Sequence, residues 1–169
     1  MSGASAERTL GGRRILLSND DGIGAHGLVV LERIARALSD DVWVVAPAIE
    51  RSGAGHSLTL HEPLRPVKVG DKRYTVSGTP TDAVMVAINH IMKDHPPDLV
   101  LSGVNRGRNV AEDVTYSGTI AGAMEGTILG IRSFALSLSF GANTRQNPFW
   151  DTCIKRGPDV VKQVLAAGM

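Results

Sequence analysis

The fold is decided near the start of the chain, by the stretch Arg13-Arg-Ile-Leu-Leu-Ser-Asn-Asp-Asp-Gly-Ile-Gly-Ala-His-Gly27. Residues Arg14 to Ser18 are typical of a short apolar strand, and a helical pattern begins at Leu28. Asp20 and Asp21 therefore fall where a strand gives way to a loop, which in open α/β sheets is the ligand crevice at the carboxyl ends of the strands. Two adjacent carboxylates repel each other, and a bound cation relieves that repulsion. We expect this pair to bind a metal ion.

The glycines of the same stretch allow a second interpretation. Gly22-Ile-Gly-Ala-His-Gly27 matches the dinucleotide-binding pattern, follows a strand and precedes a helix. Two departures count against a nicotinamide- or flavin-dependent oxidoreductase. The aspartates at the entrance would repel a pyrophosphate, and the next strand runs into Pro47, where an acidic ribose-binding residue is expected. The oxidoreductase is therefore the less favoured alternative.

Length and composition indicate one soluble domain. With 169 residues and 43% hydrophobic content, the chain fits a single domain over residues 13–169, and the small, polar residues 1–12 are expected to be loose. The 18 basic and 17 acidic side chains nearly cancel and aromatics make up only 4%, which argues against a nucleic-acid partner. One cysteine, Cys153, suits a reducing compartment, and no apolar run reaches membrane-spanning length. We expect a cytoplasmic protein without a membrane partner.

Strands and helices alternate along the chain, which predicts a doubly wound α/β fold with a mainly parallel sheet. One segment interrupts the alternation, because residues 64–76 have the pattern of a β-hairpin and are expected to form a side excursion. The other predicted strands are Val42 to Ala46, Leu99 to Val104 and Phe134 to Phe140. The predicted helices are Gly27 to Ser39, Thr79 to His95, Ser117 to Leu129, and Phe149 to Ala167 with a break or kink at Gly157-Pro158.

Polar residues follow three of these strands. Asp20 and Asp21 follow the first, Ser52 lies in the glycine-rich loop after the second, and Asn105 follows the third. Because the carboxyl ends of parallel strands meet at one edge, we expect the four side chains to converge. Their oxygen donors suit Mg²⁺ or Mn²⁺ better than zinc. Such an ion can polarise a phosphate oxygen and lower the pKa of a bound water, so the set permits metal-assisted phosphoryl hydrolysis.

A fourth loop supplies a candidate phosphate site. Ser117, Gly118 and Thr119 lie at a predicted helix N-terminus, where unpaired N–H groups and the helix dipole favour an anion. Asn109 is a further candidate donor to that anion. Among the histidines, His56 alone is a candidate for substrate contact, because it lies within the loop that contains Ser52.

Each candidate also has a purely structural interpretation. The aspartates can cap a strand–helix junction, and Ser52 can be an ordinary residue of a flexible loop. Ser117 or Thr119 can act only as a helix N-cap. Asn105 and Asn109 are common residue types in turns.

Six stretches, in this order, resemble the SurE family of survival proteins: Ser18 to Ile23, Ala46-Pro47, Arg51 to Thr59, Ser77 to Asp82, Ser102 to Asn109, and Tyr116 to Gly126. The resemblance implies a Rossmann-like nucleotidase that depends on one divalent metal ion per subunit and releases phosphate from nucleoside 5'- and 3'-monophosphates. It also implies metal ligands and phosphate-binding residues. By the family pattern the ligands would be Asp20, Asp21, Ser52 and Asn105, and Asn109, Ser117 and Thr119 would surround the phosphate. Our own hypothesis is that one of the two aspartates, preferably Asp21, also orients or deprotonates the attacking water.

The sequence differs from the family pattern at its C-terminus. Family members usually continue beyond Ala166-Ala-Gly168 into another strand and an arm that helps form a homodimer or homotetramer. This difference leaves an alternative of another class: a catalytically silent module that binds metal and nucleotide without turnover.

Overall fold

The computed structural model describes residues 10–141 and 149–168, and a six-stranded sheet lies at its centre. The strand order is β3-β4-β2-β1-β5-β6. All neighbouring pairs are parallel except β3 with β4. The strands are β1 (Arg14–Ser18), β2 (Asp41–Pro47), β3 (Pro66–Gly70), β4 (Arg73–Val76), β5 (Leu99–Arg106) and β6 (Ser133–Leu138).

Helices cover both faces of this sheet, so the predicted doubly wound α/β fold is confirmed. They are α1 (His26–Arg36), α2 (Pro80–Val86), which continues as a π-helical turn (Ala87–Ile91), α3 (Asp113–Tyr116), α4 (Gly118–Ile128) and α5 (Trp150–Ala166). None of the helices within the described residues combines the length and the apolar character that crossing a membrane requires.

Alternation along β1 divides the core into two layers. Ile15 and Leu17 pack into the layer that contains α1 and α5, whereas Leu16 packs into the layer that contains α2. Side chains two residues apart on a strand face the same side. Ser18, and after it Asp20, therefore point towards the layer of Leu16, where the N-terminus of α4 also lies.

The hairpin is the main difference from the predicted fold. It was expected to be a side excursion, but β4 pairs in parallel with β2, from Val44↔Arg73 to Pro47↔Val76, and so extends the central sheet. The sequence pattern contains the local hairpin signal, whereas the residues that pair β4 with β2 are 29 positions apart in the chain.

A break or kink was predicted at Gly157-Pro158 in the last helix, and the structure shows no break there. Helix α5 is continuous with Pro158 in its interior. Proline removes one backbone donor, but packing can hold a helix together across it. The packing here is close, because a Cβ on Gly157 would lie 2.8 Å from Ile34 Cγ1 of α1.

Of the N-terminal segment expected to be loose, residues 1–9 lie outside the described residues. Leu10 is buried in the α1 layer of the core, and its carbonyl accepts a hydrogen bond from the Arg13 amide at 2.9 Å.

Candidate functional site

Asp20 lies directly beyond β1 and is only 5% exposed. Its Oδ1 accepts a hydrogen bond of 2.6 Å from Thr119 Oγ1, which is fully buried on the first turn of α4. Helix and carboxylate approach so closely that a Cβ on Gly118 would lie 2.6 Å from Asp20 Cβ. Glycine at position 118 is therefore required for the N-terminus of α4 to reach Asp20.

Asp21 is half-buried beside Asp20 and has an unusual pKa. Burial, and then the negative charges of Asp20 and Glu50, raise the pKa of Asp21 from 3.8 to about 6. Glu50 was not a candidate from the sequence, because it stands in a loop where charged residues are common. The structure places three carboxylates near one another at this edge of the sheet.

The loop after β2, residues 49–60, reaches the aspartates as predicted. The Arg51 amide donates to the Asp20 carbonyl at 2.7 Å, which places the adjacent Ser52 beside β1. Ser52 itself is exposed and its Oγ donates to Glu50 Oε1 at 2.9 Å. In that arrangement the Ser52 lone pairs are available to a metal ion, since the hydroxyl proton is directed to Glu50.

Asn105 lies in the last part of β5, at the same sheet edge. The register Ser18↔Ser102 aligns β1 with β5, and Asn105 comes three residues later. Its Nδ2 donates to the Gly107 carbonyl at 2.9 Å. This contact leaves the Oδ1 oxygen, the atom suited to a hard cation, to face other partners.

The remaining residues predicted to bind phosphate differ in which of their donor groups are available to an anion. Ser117 caps α4, since its Oγ accepts from the Ile120 amide at 3.2 Å, which keeps the hydroxyl proton available as a donor. The Thr119 hydroxyl is used by Asp20, so only its backbone N–H can serve an anion. Asn109 lies towards the β6 end of the edge, where its Oδ1 accepts from Ser137 Oγ at 2.8 Å.

The glycines that resembled a dinucleotide fingerprint have packing roles. Gly22 adopts φ 94°, and a Cβ there would lie 3.0 Å from the Ile49 carbonyl carbon. A Cβ on Gly27 would collide with the Val104 carbonyl oxygen. Asn19 closes the turn by donating from Nδ2 to the Gly22 carbonyl at 3.0 Å. Close backbone approach therefore accounts for Gly22 and Gly27 without a pyrophosphate.

Two contacts of the 49–60 loop were not predicted. His56 Nε2 lies 2.9 Å from Oε2 of Glu125, a buried residue of α4. Thr59 Oγ1 donates to Asp82 Oδ2 at 2.6 Å, and Asp82 also completes a capping box with Thr79. The Thr79-Pro-Thr-Asp82 sequence indicates the cap, but no spacing links residues 69 or 23 positions apart.

The donor set fits a hard divalent cation. In the part of the chain that the structure describes, no three His, Cys, Asp or Glu side chains form a metal-binding group. Any ion at this edge would therefore combine the Asp20 and Asp21 carboxylates with hydroxyl, amide or water oxygens, which is the coordination typical of Mg²⁺ and Mn²⁺. Mutual repulsion of the carboxylates, reflected in the raised pKa of Asp21, would be relieved by such a cation.

Comparisons with known proteins point to one family. The family model described as survival protein SurE matches residues 15–169. The 5'-nucleotidase SurE of Methylorubrum extorquens (strain PA1) and that of Bradyrhizobium diazoefficiens are each 63% identical over 156 residues, covering 92% of this chain and 61% of the relative. The chain thus spans about 61% of the length of these curated relatives.

A solved structure agrees with these relatives. The crystal structure of the SurE protein from Aquifex aeolicus superposes with a TM-score of 0.83 at 46% identity, covering 92% of this chain and 61% of that chain.

Proposed function

The chain belongs to the SurE family, and from that premise we propose that it is a metal-dependent phosphomonoesterase that hydrolyses nucleoside 5'- and 3'-monophosphates to nucleoside and inorganic phosphate. Its similarity to relatives named 5'-nucleotidase supports this activity and substrate class. The carboxyl ends of parallel strands are where ligands bind in open α/β sheets, and the predicted site residues lie at or after such strand ends, which supports the proposal.

One observation carries the proposal: the buried Asp20 joins the predicted metal site to the predicted phosphate site. Its carboxylate accepts from Thr119 at 2.6 Å, and Thr119 belongs to the helix turn whose N–H groups face an incoming anion. A phosphate at this helix end would therefore lie close to the two aspartates. That proximity is what metal-assisted attack on a phosphate ester requires.

Each residue has a role in this proposal. Asp20, Asp21, Ser52 and Asn105 would hold the divalent ion, which supplies Lewis-acid activation of the phosphate and of water. Ser117 would donate its hydroxyl proton to a phosphate oxygen, and the backbone N–H groups of Gly118 and Thr119 would add to that charge stabilisation. Asn109 would donate from its amide nitrogen to the phosphate, since its Oδ1 already accepts from Ser137.

Asp21 is the better candidate for the residue that takes a proton from the attacking water. It is half-buried beside Asp20 at the carboxyl edge of the sheet, where a carboxylate can accept a proton from water held near the ion. Asp20 is less suited, because one of its oxygens is already bonded to Thr119.

Phosphate release tests the function directly. The chain is incubated with AMP, GMP and 3'-AMP in Mn²⁺ or Mg²⁺, with EDTA and with the variant Asp20→Asn. We expect turnover with metal, and loss of at least about a hundredfold in EDTA or in the variant, since an essential charge stabiliser is typically worth that much. Activity that survives both treatments would refute the proposal. Binding of metal and nucleotide without turnover would support the silent module instead.

The proposal extends to three finer points. The oxygen donors support Mg²⁺ or Mn²⁺ as the ion, one per subunit. Family membership supports a homodimer or homotetramer. The lone Cys153 suits the reducing conditions of the cytoplasm.

A further inference from the structure

We propose that His56 and Glu125 form a positioning pair that holds the 49–60 loop, and with it Ser52, over the aspartates. The inference rests on the proposed function, because it concerns the same metal site. His56 was a candidate for substrate contact from the sequence, but its Nε2 lies 2.9 Å from Glu125 Oε2, and the role proposed here needs no contact with the metal or the phosphate. Their effect on the site is transmitted through the backbone of the loop.

The pair joins the 49–60 loop to α4. His56 lies four residues after Ser52, and Glu125 lies in α4, the helix whose first turn contacts Asp20. The 2.9 Å contact between Nε2 and Oε2 spans 69 positions of sequence, and the Glu125 side chain is 10% exposed. A hydrogen bond to a buried carboxylate is stronger than one in solvent, because water competes less for its atoms.

The part of the loop next to Ser52 depends on contacts with other elements to fix its conformation. Between Ser52 and His56 it contains Gly53 and Gly55, both at positive φ, and an exposed surface. Its conformational entropy is therefore high unless contacts fix it. The Arg51 amide bond to Asp20 fixes the side before Ser52. On the side after it, His56 contacts Glu125, and Thr79 Oγ1 donates to the Ser57 carbonyl at 2.7 Å one residue further on.

Thr59 forms another contact between the loop and the rest of the protein, nearer the end of the loop. Its hydroxyl and amide both donate to the carboxylate of Asp82, which is fully buried. This contact lies seven residues from Ser52, so it restrains the end of the loop more than the metal-facing part. We therefore assign the control of Ser52 to the His56–Glu125 pair.

A metal ligand that is free to move must be ordered at the moment of binding, which lowers affinity. Outer partners that orient ligands are typically worth 10- to 100-fold in metal affinity. Because this pair acts through four residues of backbone, we expect a loss near the lower end of that range, about tenfold, when it is broken.

The test measures Mn²⁺ affinity, without substrate, by isothermal calorimetry and by electron paramagnetic resonance of the ion. His56→Ala and Glu125→Ala should each weaken binding about tenfold, and the double variant should be no weaker than either single one. His56→Gln, which can still donate to Glu125, should restore affinity to within about twofold. Should Glu125→Ala fail to fold, the histidine variants carry the test, because His56 lies in an exposed loop.

A matched control comes from the opposite edge of the sheet. Lys72 Nζ bonds Asp41 Oδ1 at 2.8 Å near the amino ends of the strands. Lys72→Ala and Asp41→Ala should lower the melting temperature but leave the Mn²⁺ dissociation constant unchanged. Affinity loss in these controls equal to that in His56→Ala would overturn the inference, as would unchanged affinity in His56→Ala.

The measurements also separate this inference from the proposed function. Binding of Mn²⁺ by the unmodified chain without release of phosphate from AMP contradicts the nucleotidase, and the affinities of the variants still decide the pair. Failure of the unmodified chain to bind Mn²⁺ refutes both.

Discussion

At the scale of single residues, Thr119 connects α4 to the carboxylate at the end of β1. Thr119→Val removes the hydroxyl at nearly constant volume and leaves the buried Asp20 Oδ1 without its donor. An unsatisfied buried acceptor costs about 1–3 kcal/mol. We expect the free energy of unfolding to fall by that amount in urea titrations of the metal-free protein.

A second threonine of the same helix provides the control for this change. Thr127 is exposed, and its Oγ1 donates to the Ala123 carbonyl at 3.0 Å within α4. Thr127→Val should change the free energy of unfolding by less than about 0.5 kcal/mol, as exposed substitutions usually do. An equal loss in the free energy of unfolding for Thr119→Val and Thr127→Val would show that the hydrogen bond to Asp20 contributes no more to stability than an exposed one.

Asp21 should make stability depend on pH. Its pKa is about 6 in the folded protein against an ordinary 3.8, so between these values the folded state binds more protons than the unfolded state. Its contribution to stability therefore falls as pH rises from about 4 to 6. In EDTA at pH 7, Asp21→Asn should be more stable than the unmodified chain by about 1 kcal/mol, since solvent screening reduces the ~3 kcal/mol that a full two-unit shift represents.

Urea titrations between pH 4 and 7 check this dependence. The advantage of Asp21→Asn should vanish near pH 4, where the wild-type carboxyl is protonated in the folded state. If the free energies of unfolding of Asp21→Asn and the unmodified chain differ by the same amount at pH 4 and at pH 7, the effect of the substitution comes from packing and not from titration.

At the scale of elements, the close approach of α4 to the sheet depends on small residues. A Cβ on Gly126 would lie 2.9 Å from Val100 Cγ2 and still closer to Ser133 Oγ. Gly126→Ala should therefore destabilise the fold by about 1–3 kcal/mol through overpacking, even though alanine favours helix by about 1 kcal/mol.

Thermal unfolding with a matched glycine tests that expectation. No atom lies within 4 Å of a Cβ built on Gly24, in the turn before α1. Gly24→Ala should leave the melting temperature within about 2 °C, whereas Gly126→Ala should lower it by several degrees. If Gly126→Ala leaves the melting temperature unchanged or raises it, α4 can move away from the sheet to accommodate the methyl group without a loss of stability.

The elements also show what the sequence could and could not reveal. Continuous apolar runs identified β1, β2 and β5, because strands covered on both faces need no polar alternation. Their shared direction was enough to place Asp20, Asp21, Ser52 and Asn105 at one edge. The sequence located the hairpin but did not predict the pairing of β4 with β2. Glu50 and Glu125 were missed, because their contacts depend on how separate loops and helices meet.

At the scale of the whole molecule, the predicted ligands come from three separate segments, which only the folded chain brings to one edge. A ligand that binds only the folded state stabilises it by mass action. Mn²⁺ at about 100 times its dissociation constant should therefore raise the free energy of unfolding by about 2.7 kcal/mol.

Calorimetric melting with and without Mn²⁺ measures this linkage. The increase should be absent from a variant carrying Asp20→Asn and Asp21→Asn together, although that variant keeps the fold. Equal stabilisation of the double variant would place the ion elsewhere on the protein.

The outermost strand β3 affects how copies of the molecule meet in concentrated solution. It begins with Pro66, which offers no amide donor, and its pairing with β4 shifts register between Lys68 and Gly70. A proline, an irregular backbone and a lysine all hinder an extra strand from adding to a free edge. Val67 and Val69, each more than half exposed, consequently lie on a border that resists edge-to-edge aggregation.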